Sequence, residues 1–359
     1  MVTRILIMAG GTGGHVFPAL AVAERLRAEG VEVLWLGTRR GIEADVVPRA
    51  GFAMATIRIA GLRGNGVLGW LLLPVRVIIA MLQSLAVFLR FRPMAVLGMG
   101  GFVTGPGGVT AWLLHRPLLI HEQNAIAGMT NRWLARLATR VLVAFPGVLP
   151  AQRPVLVGNP VRAAIEALPP PEERFAARTG PLRLLVLGGS QGARGLNAAV
   201  PQAVAAQPPA ARPEVRHQAG RLWVAEVRDR YAALGVQATV EPFIERMADA
   251  YGWADFVICR AGALTIAELA AAGVGAILVP YPYAVDDHQS HNGQYLVDHG
   301  AALMLRDDEG LGAALERVVA ELSARGRGRL LEMAQAARRL ARPDAARAVS
   351  RLCVELAHA

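Results

Sequence analysis

Twice along this chain a short apolar stretch runs into a knot of glycines and then into an amphipathic segment of helical period. That arrangement narrows the possible folds more than any other feature. The first instance is Arg4–Met8 followed by Ala9-Gly-Gly-Thr-Gly-Gly-His15, and the second is Leu182–Leu187 followed by Gly188-Gly-Ser-Gln-Gly192. Further short apolar stretches follow each one. In the first half they are Val31–Leu36, Phe52–Ile59, Met94–Leu97, Leu118–His121 and Val141–Ala144. In the second they are Glu214–His217, Ala238–Glu241, Phe256–Cys259, Ala276–Val279 and Ala302–Leu305. Helical segments lie between them, such as Phe17–Ala28, which stops at Gly30, and the chain from Glu309 onward reads as helix. Strand and helix in alternation imply parallel sheets with right-handed crossovers. A proline-rich break, Leu168-Pro-Pro-Pro-Glu172, separates the two series. Two doubly wound α/β units are therefore expected, with ligands beyond the carboxyl ends of the strands.

A length of 359 residues suits two such units, since domains commonly run to about 100–150 residues or somewhat more. Hydrophobic residues make up 53% of the chain, enough for two cores, and the 18% charged fraction excludes general disorder. Two cysteines, Cys259 and Cys353, offer neither a disulfide framework nor a multi-cysteine metal site, which favours a reducing compartment. The apolar start is too short for a signal peptide and reads as a first strand. Charge is unevenly placed. Residues 1–160 hold sixteen arginines against six acids, whereas residues 161–359 hold twenty-two of each. A basic half beside a neutral half points to an anionic partner for the first: membrane lipid, nucleic acid or a phosphorylated substrate.

The glycine loops carry the chemistry. Glycines let the backbone approach a bulky group, and the helix N-terminus that follows favours negative charge. A dinucleotide fingerprint fails in the first loop, because Val16 stands at the third glycine position and the second strand ends in Leu36-Gly37 without a ribose-binding acid. No P-loop Gly-Lys-Ser/Thr is present either. His15 sits where the helix start favours a neutral imidazole, the form a general base needs, although a capping or core role is the plain alternative. The second loop sets backbone amides and Ser190 at another helix start, which suits a diphosphate. Further on, Thr265 and Glu268 have the spacing of a capping box, or Glu268 binds vicinal ribose hydroxyls. Arg162 and Arg260 are candidate phosphate ligands. His288 and His291 are a helical turn apart, but no His-Glu-x-x-His pattern accompanies them, so no metal site is expected.

Leu68–Leu89 contains thirteen Leu, Ile, Val and Phe residues. At roughly −0.45 kcal/mol each these contribute about −6 kcal/mol toward membrane insertion, against about +3 for Arg76 at mid-membrane. Hydropathy thus permits a transmembrane helix. Topology does not, because the segment joins two strands of one sheet. The expectation is a crossover helix with one face in the core and part of the other facing a lipid surface, the alternative being that all its apolarity is core. Arg76, Arg90 and Arg92 would add about 1 kcal/mol apiece against anionic lipid. No aromatic stacking platform accompanies these arginines, which disfavours nucleic acid as the partner.

Together the motifs resemble the MurG family of glycosyltransferases across nearly the whole chain. The matching residues are Gly10-Gly-Thr-Gly-Gly-His15-Val-Phe-Pro18, Gly61-Leu-Arg-Gly64, Gly98-Met-Gly-Gly101, Gly105-Pro-Gly-Gly108 and His121-Glu-Gln-Asn124. They continue with Gly158-Asn-Pro-Val-Arg162, Gly188-Gly-Ser-Gln-Gly-Ala193, Gly262-Ala-Leu-Thr265, Glu268 and Asp287-His-Gln289 with Asn292. Ala261 stands where a serine is common, and His288 where some members carry a second glutamine.

The resemblance implies a GT-B fold, two Rossmann-like doubly wound domains facing across a cleft. Residues 1–160 would form the acceptor- and membrane-side domain and 161–341 the UDP-sugar domain, with 342–359 a helix returning to the first. It also implies inverting transfer of N-acetylglucosamine from UDP-N-acetylglucosamine to the C4 hydroxyl of lipid I, giving lipid II for peptidoglycan synthesis at the cytoplasmic face of the cell membrane. No cofactor or metal is implied. Carried over, Ile244 would touch uracil, Glu268 the ribose and Ser190 the diphosphate, with Arg162 in the same pocket. Ala263, Leu264, Thr265 and Gln289 would line the donor site, and Thr12, Gly13, Gly14 and Asn124 would close it. His15 would be the general base and Glu122 the second candidate. A UDP-N-acetylglucosamine epimerase of the same fold is the rival reading.

Overall fold

A computed structural model describes residues 2–59, 73–189 and 191–359. It divides into two compact units, residues 1–162 with 344–359, and residues 163–343. The first is built on strands β1 (Arg4–Met8), β2 (Glu32–Gly37), β3 (Ala53–Thr56), β4 (Ala95–Gly98), β5 (Leu118–Glu122), β6 (Arg140–Val143) and β7 (Val155–Leu156). They form one sheet in the order β3-β2-β1-β4-β5-β6-β7, every pair parallel. The second unit holds β8 (Arg183–Leu187), β9 (Glu214–Gln218), β10 (Ala238–Glu241), β11 (Phe256–Cys259), β12 (Gly275–Leu278) and β13 (Ala302–Met304). Their order is β10-β9-β8-β11-β12-β13, again all parallel. Two doubly wound α/β units are thus what the sequence pattern led one to expect.

The central strands are apolar on both faces because helices cover both faces of a parallel sheet. Ile5, Leu6, Ile7 and Met8 are fully buried, as are Leu184, Leu185 and Val186 at the same place in the second sheet. In each unit the strand order reverses beside the first strand, between β1 and β4 and between β8 and β11. Ligand crevices form at such reversals. Both glycine loops leave the sheet there. At Gly101, with φ +85°, an added Cβ would lie 2.2 Å from the Gly10 carbonyl oxygen, so the loops after β1 and β4 touch backbone to backbone.

The last helix, Ala345–Ala357, belongs to the first unit. Val349 and Cys353 enter the core that also contains Ala19, Val22 and Leu26, and Ser350 Oγ donates to Glu29 Oε2 at 3.0 Å. Before it, helix Leu311–Arg339 is broken at Gly326, whose φ of 64° and ψ of −164° are not helical.

Helix Leu73–Phe91 joins the part of the chain after β3 to β4, and both strands lie in one sheet. Ala80, Ser84 and Phe88 are buried, which is a stripe at four-residue spacing. On the opposite side Val75, Ile78, Ile79, Leu82 and Leu89 are between 42 and 61% exposed. The alternative that all of this segment's apolarity is core is therefore wrong. Its first residues, Leu68–Leu72, and the Gly61–Gly64 motif lie outside the described residues. Trp112 and Leu113, at the end of the helix Thr104–Leu113 that packs on it, are also exposed, as are Met129 and Trp133 of helix Met129–Leu134.

Candidate functional site

In the first unit, helix Gly13–Ala28 begins four residues earlier than the periodic pattern indicates. Thr12 is its N-cap in extended conformation, and the amides of His15 and Val16 both bond to the Thr12 carbonyl. His15 thus stands in the first turn, at the positive end of the helix. Its Nδ1 lies 3.0 Å from Oε1 of Gln123, and Gln123 Nε2 donates to the Met99 carbonyl at 2.8 Å. An added Cβ at Gly100, φ +99°, would lie 2.6 Å from His15 Nδ1, so the imidazole packs directly on the loop after β4.

The two candidate bases sit in different surroundings. Glu122 is 1% exposed, and each carboxylate oxygen receives two donors. Oε1 accepts from the amide and side chain of Asn124 at 2.9 and 3.2 Å, and Oε2 from the Gly128 amide and Asn131 Nδ2 at 3.0 and 2.9 Å. That arrangement ties down the 122–131 loop and leaves the carboxylate little capacity to take a substrate proton. His121 is buried and bonds through Nε2 to the Gly158 carbonyl at 2.9 Å. Burial pushes its pKa down to about 4, so it is neutral at physiological pH.

One residue of this site carried no sequence signal. Glu43, six residues past β2, is fully buried and reaches back to the first glycine loop. It accepts from the Gly11 amide at 3.0 Å, the Thr38 amide at 2.9 Å and the Thr38 hydroxyl at 2.7 Å. Where β2 ends without an acid, the acid arrives from the next helix, and it is spent on the loop amide. A phosphate at Gly11 would compete with a buried carboxylate already seated there. Gln123 lay inside a quoted motif, yet its link to His15 spans 108 positions and has no local signature.

In the second unit the loop after β8 folds onto the loop after β9. An added Cβ at Gly192 (φ +81°) would sit 2.2 Å from the Ala219 carbonyl oxygen. Ser190 lies outside the described residues. A pocket of about 850 Å³ opens beside this loop, walled by Gly188, Gln191, Arg194, Trp223, Arg260 and Gln289 among others. Gln289 Oε1 accepts the Tyr281 amide at 2.9 Å. That bond fixes the orientation of its amide group at the pocket wall. Arg260 does not present an unpaired charge. It donates to Asp307 Oδ2 at 2.6 Å and to the carbonyls of Val279 and Pro280.

Helix Ala263–Ala272 starts with Gly262 as N-cap, so Ala263, Leu264 and Thr265 form its first turn. Thr265 is inside the helix and cannot serve as its N-cap, which removes the capping-box reading of Glu268. Glu268 is 5% exposed and accepts from the Tyr251 hydroxyl at 3.1 Å. Ile244 is buried in the loop after β10. Ile244, Glu268 and residues 263–265 do not wall the 850 Å³ pocket. Arg162 is exposed at the end of the first unit's main stretch. In the Asp286–Asn292 segment His288 Nδ1 bonds the Val285 carbonyl, and among the described residues no group of three His, Cys, Asp or Glu is placed to hold a metal.

Two family models match the chain. The glycosyltransferase family 28 N-terminal domain covers residues 5–143, and the glycosyltransferase family 28 C-terminal domain covers residues 183–349. The chain is 56% identical over 357 residues to the UDP-N-acetylglucosamine–N-acetylmuramyl-(pentapeptide) pyrophosphoryl-undecaprenol N-acetylglucosamine transferase of Alkalilimnicola ehrlichii, covering 99% of both chains. It is 56% identical over 363 residues to the protein of the same name from Nitrosococcus oceani, again covering 99% of both. Among solved structures it is similar to MurG of Acinetobacter baumannii, with a TM-score of 0.85 and 39% identity over 98% of this chain and 99% of that one.

Proposed function

Because the chain belongs to glycosyltransferase family 28, and within it to the UDP-N-acetylglucosamine–N-acetylmuramyl-(pentapeptide) pyrophosphoryl-undecaprenol N-acetylglucosamine transferases, we propose that it moves N-acetylglucosamine from UDP-N-acetylglucosamine to lipid I. The products are UDP and lipid II, the disaccharide precursor of peptidoglycan. The observation that carries this is the end-to-end identity with those transferases. Incubating the protein with UDP-N-acetylglucosamine and a lipid I analogue should give a disaccharide product, with UDP release that depends on the acceptor. An epimerase would consume the donor without the acceptor, and that result would overturn the proposal.

In this reading the second unit binds the donor. Glu268 takes the ribose hydroxyls, Ile244 meets the uracil, the 263–265 turn and Gln289 hold the sugar, and Ser190 and the loop amides hold the diphosphate. Arg162, Asn124 and the Thr12-Gly13-Gly14 turn are further contacts to the same ligand. The first unit supplies the base. The acceptor C4 oxygen bonds to the anomeric carbon as the carbon–oxygen bond to UDP breaks, inverting α to β, and the hydroxyl proton passes to His15. Of the two candidates, His15 is engaged through Nδ1, and Nε2 is the nitrogen this reading assigns to the proton. Glu122 is occupied with four donors and holds the loop.

The exposed stripe of helix Leu73–Phe91, flanked by Arg76, Arg90 and Arg92, serves in the same reading as a peripheral contact with anionic lipid at the cytoplasmic face. Each apolar side chain fully buried in lipid contributes about 1.5–3 kcal/mol. Ile79→Asp with Leu82→Asp should therefore weaken co-sedimentation with anionic vesicles by at least about tenfold. Turnover of a short-chain, water-soluble acceptor should be unchanged. Undiminished vesicle binding would remove this helix from the contact.

A further inference from the structure

We propose that Gln123 is the positioning residue that fixes His15 in the Nδ1–H tautomer, leaving Nε2 as the only atom able to take the acceptor's proton. The inference rests on the reading of His15 as the base. It starts from the side-chain amide of Gln123, which is 1% exposed and has its orientation set from outside the site. Its Nε2 donates to the Met99 carbonyl at 2.8 Å. Turning the amide over would press Oε1 against that carbonyl oxygen, acceptor to acceptor, in a buried place where the mismatch goes unrelieved. The backbone is held as well, because Asn159 Nδ2 donates to the Gln123 main-chain oxygen at 3.0 Å.

With the amide so placed, the atom that faces His15 Nδ1 at 3.0 Å is Oε1, which has lone pairs and no hydrogen. His15 Nδ1 must donate. A neutral imidazole has a single N–H, so its lone pair is on Nε2. The same loop after β4 also sets the approach: Gly100 has no Cβ, and that absence lets the ring come close enough to reach Gln123. The Met99 carbonyl and the Gln123 amide thus determine which nitrogen is basic. The partner is also neutral. After Nε2 receives the proton, Oε1 continues to accept from Nδ1–H.

The test is 15N NMR of the histidine-labelled full chain, with His15→Ala to assign the resonances, alongside turnover measurements. The native protein should show a protonated Nδ1 and an unprotonated Nε2 at His15. Gln123→Leu, which has no acceptor, should shift the ring toward the Nε2–H form and lower kcat about ten- to a hundredfold, with the KM for donor within about twofold. Gln123→Glu keeps an acceptor opposite Nδ1 and should retain the Nδ1–H form, with kcat only partly recovered because the new carboxylate oxygen faces the Met99 carbonyl. A native Nε2–H tautomer overturns the inference. So does Gln123→Leu with unchanged tautomer and kcat. Should Gln123→Leu fail to fold, the native spectrum and Gln123→Glu decide it alone. Near-normal turnover by His15→Ala would instead sink the reading of His15 as base, and the tautomer spectra would still report on the Gln123 contact.

Discussion

Replacing His15 with alanine should lower kcat by about 10²–10⁴-fold while UDP-N-acetylglucosamine binds as before. The size follows from what is lost, a positioned proton acceptor used only as the acceptor hydroxyl attacks. In the proposed reading His15 is not among the residues that contact the donor, so ground-state donor binding should change little. Glu122→Gln is the informative contrast. Its carboxylate accepts four hydrogen bonds in a buried loop, and an amide there must turn an NH₂ toward two of those donors. The expected loss is about 1–3 kcal/mol of stability, read as a fall in melting temperature, with turnover per folded molecule far closer to normal than for His15→Ala. Near-normal turnover by His15→Ala, or a reversal of the two phenotypes, would exchange the roles.

Acid should destabilise both units well before the carboxylates titrate. His121 in the first unit and His217 in the second are held neutral by burial, with pKa values lowered to about 4 and about 3. His217 is bonded on both nitrogens, to Tyr231 Oη and Asn197 Oδ1, within the core. In the unfolded chain each imidazole titrates near 6.5. As pH falls below that value the unfolded state gains a proton the folded state refuses, so stability declines. The decline attributable to His121 ends near pH 4 and that of His217 near pH 3. At about 1.36 kcal/mol per pH unit the loss reaches on the order of 3 kcal/mol for His121 and on the order of 5 kcal/mol for His217. Urea unfolding between pH 7.5 and 4.5 should show uptake of about one proton for each unit. A stability flat across that range would refute the buried-neutral state of both histidines.

Fold class was legible because it depends on local periodicity. Every stretch read as a strand is one, within a residue or three at its ends, and the glycine loops fall at the two strand-order reversals. What escaped the sequence depended on distance or on register. β7 is two residues long and partly exposed, too short to show a period. The first helix begins at Gly13, ahead of its apolar pattern, because loop packing rather than helix propensity starts it. Thr265 and Glu268 have capping-box spacing, but the helix start at Ala263 puts the pair one turn too far in. Gln123 and Glu43 act across 108 and 32 positions, and no window of sequence shows that a glutamine will meet a histidine or a glutamate a glycine amide. The glycine loops were readable. The pairings needed the fold.

The placement of Ala345–Ala357 bears on how the chain is made. Val349 and Cys353 sit in the core of the first unit, although 181 residues of the second unit, 163–343, are synthesised in between. On the ribosome the second unit can close as soon as its own residues have emerged, whereas the first waits with an uncovered apolar groove until the final helix arrives. Domains generally fold in order of synthesis, and here that order is inverted. A stop codon shortly before Ala345 would thus damage the half of the protein translated first, leaving the half translated last intact.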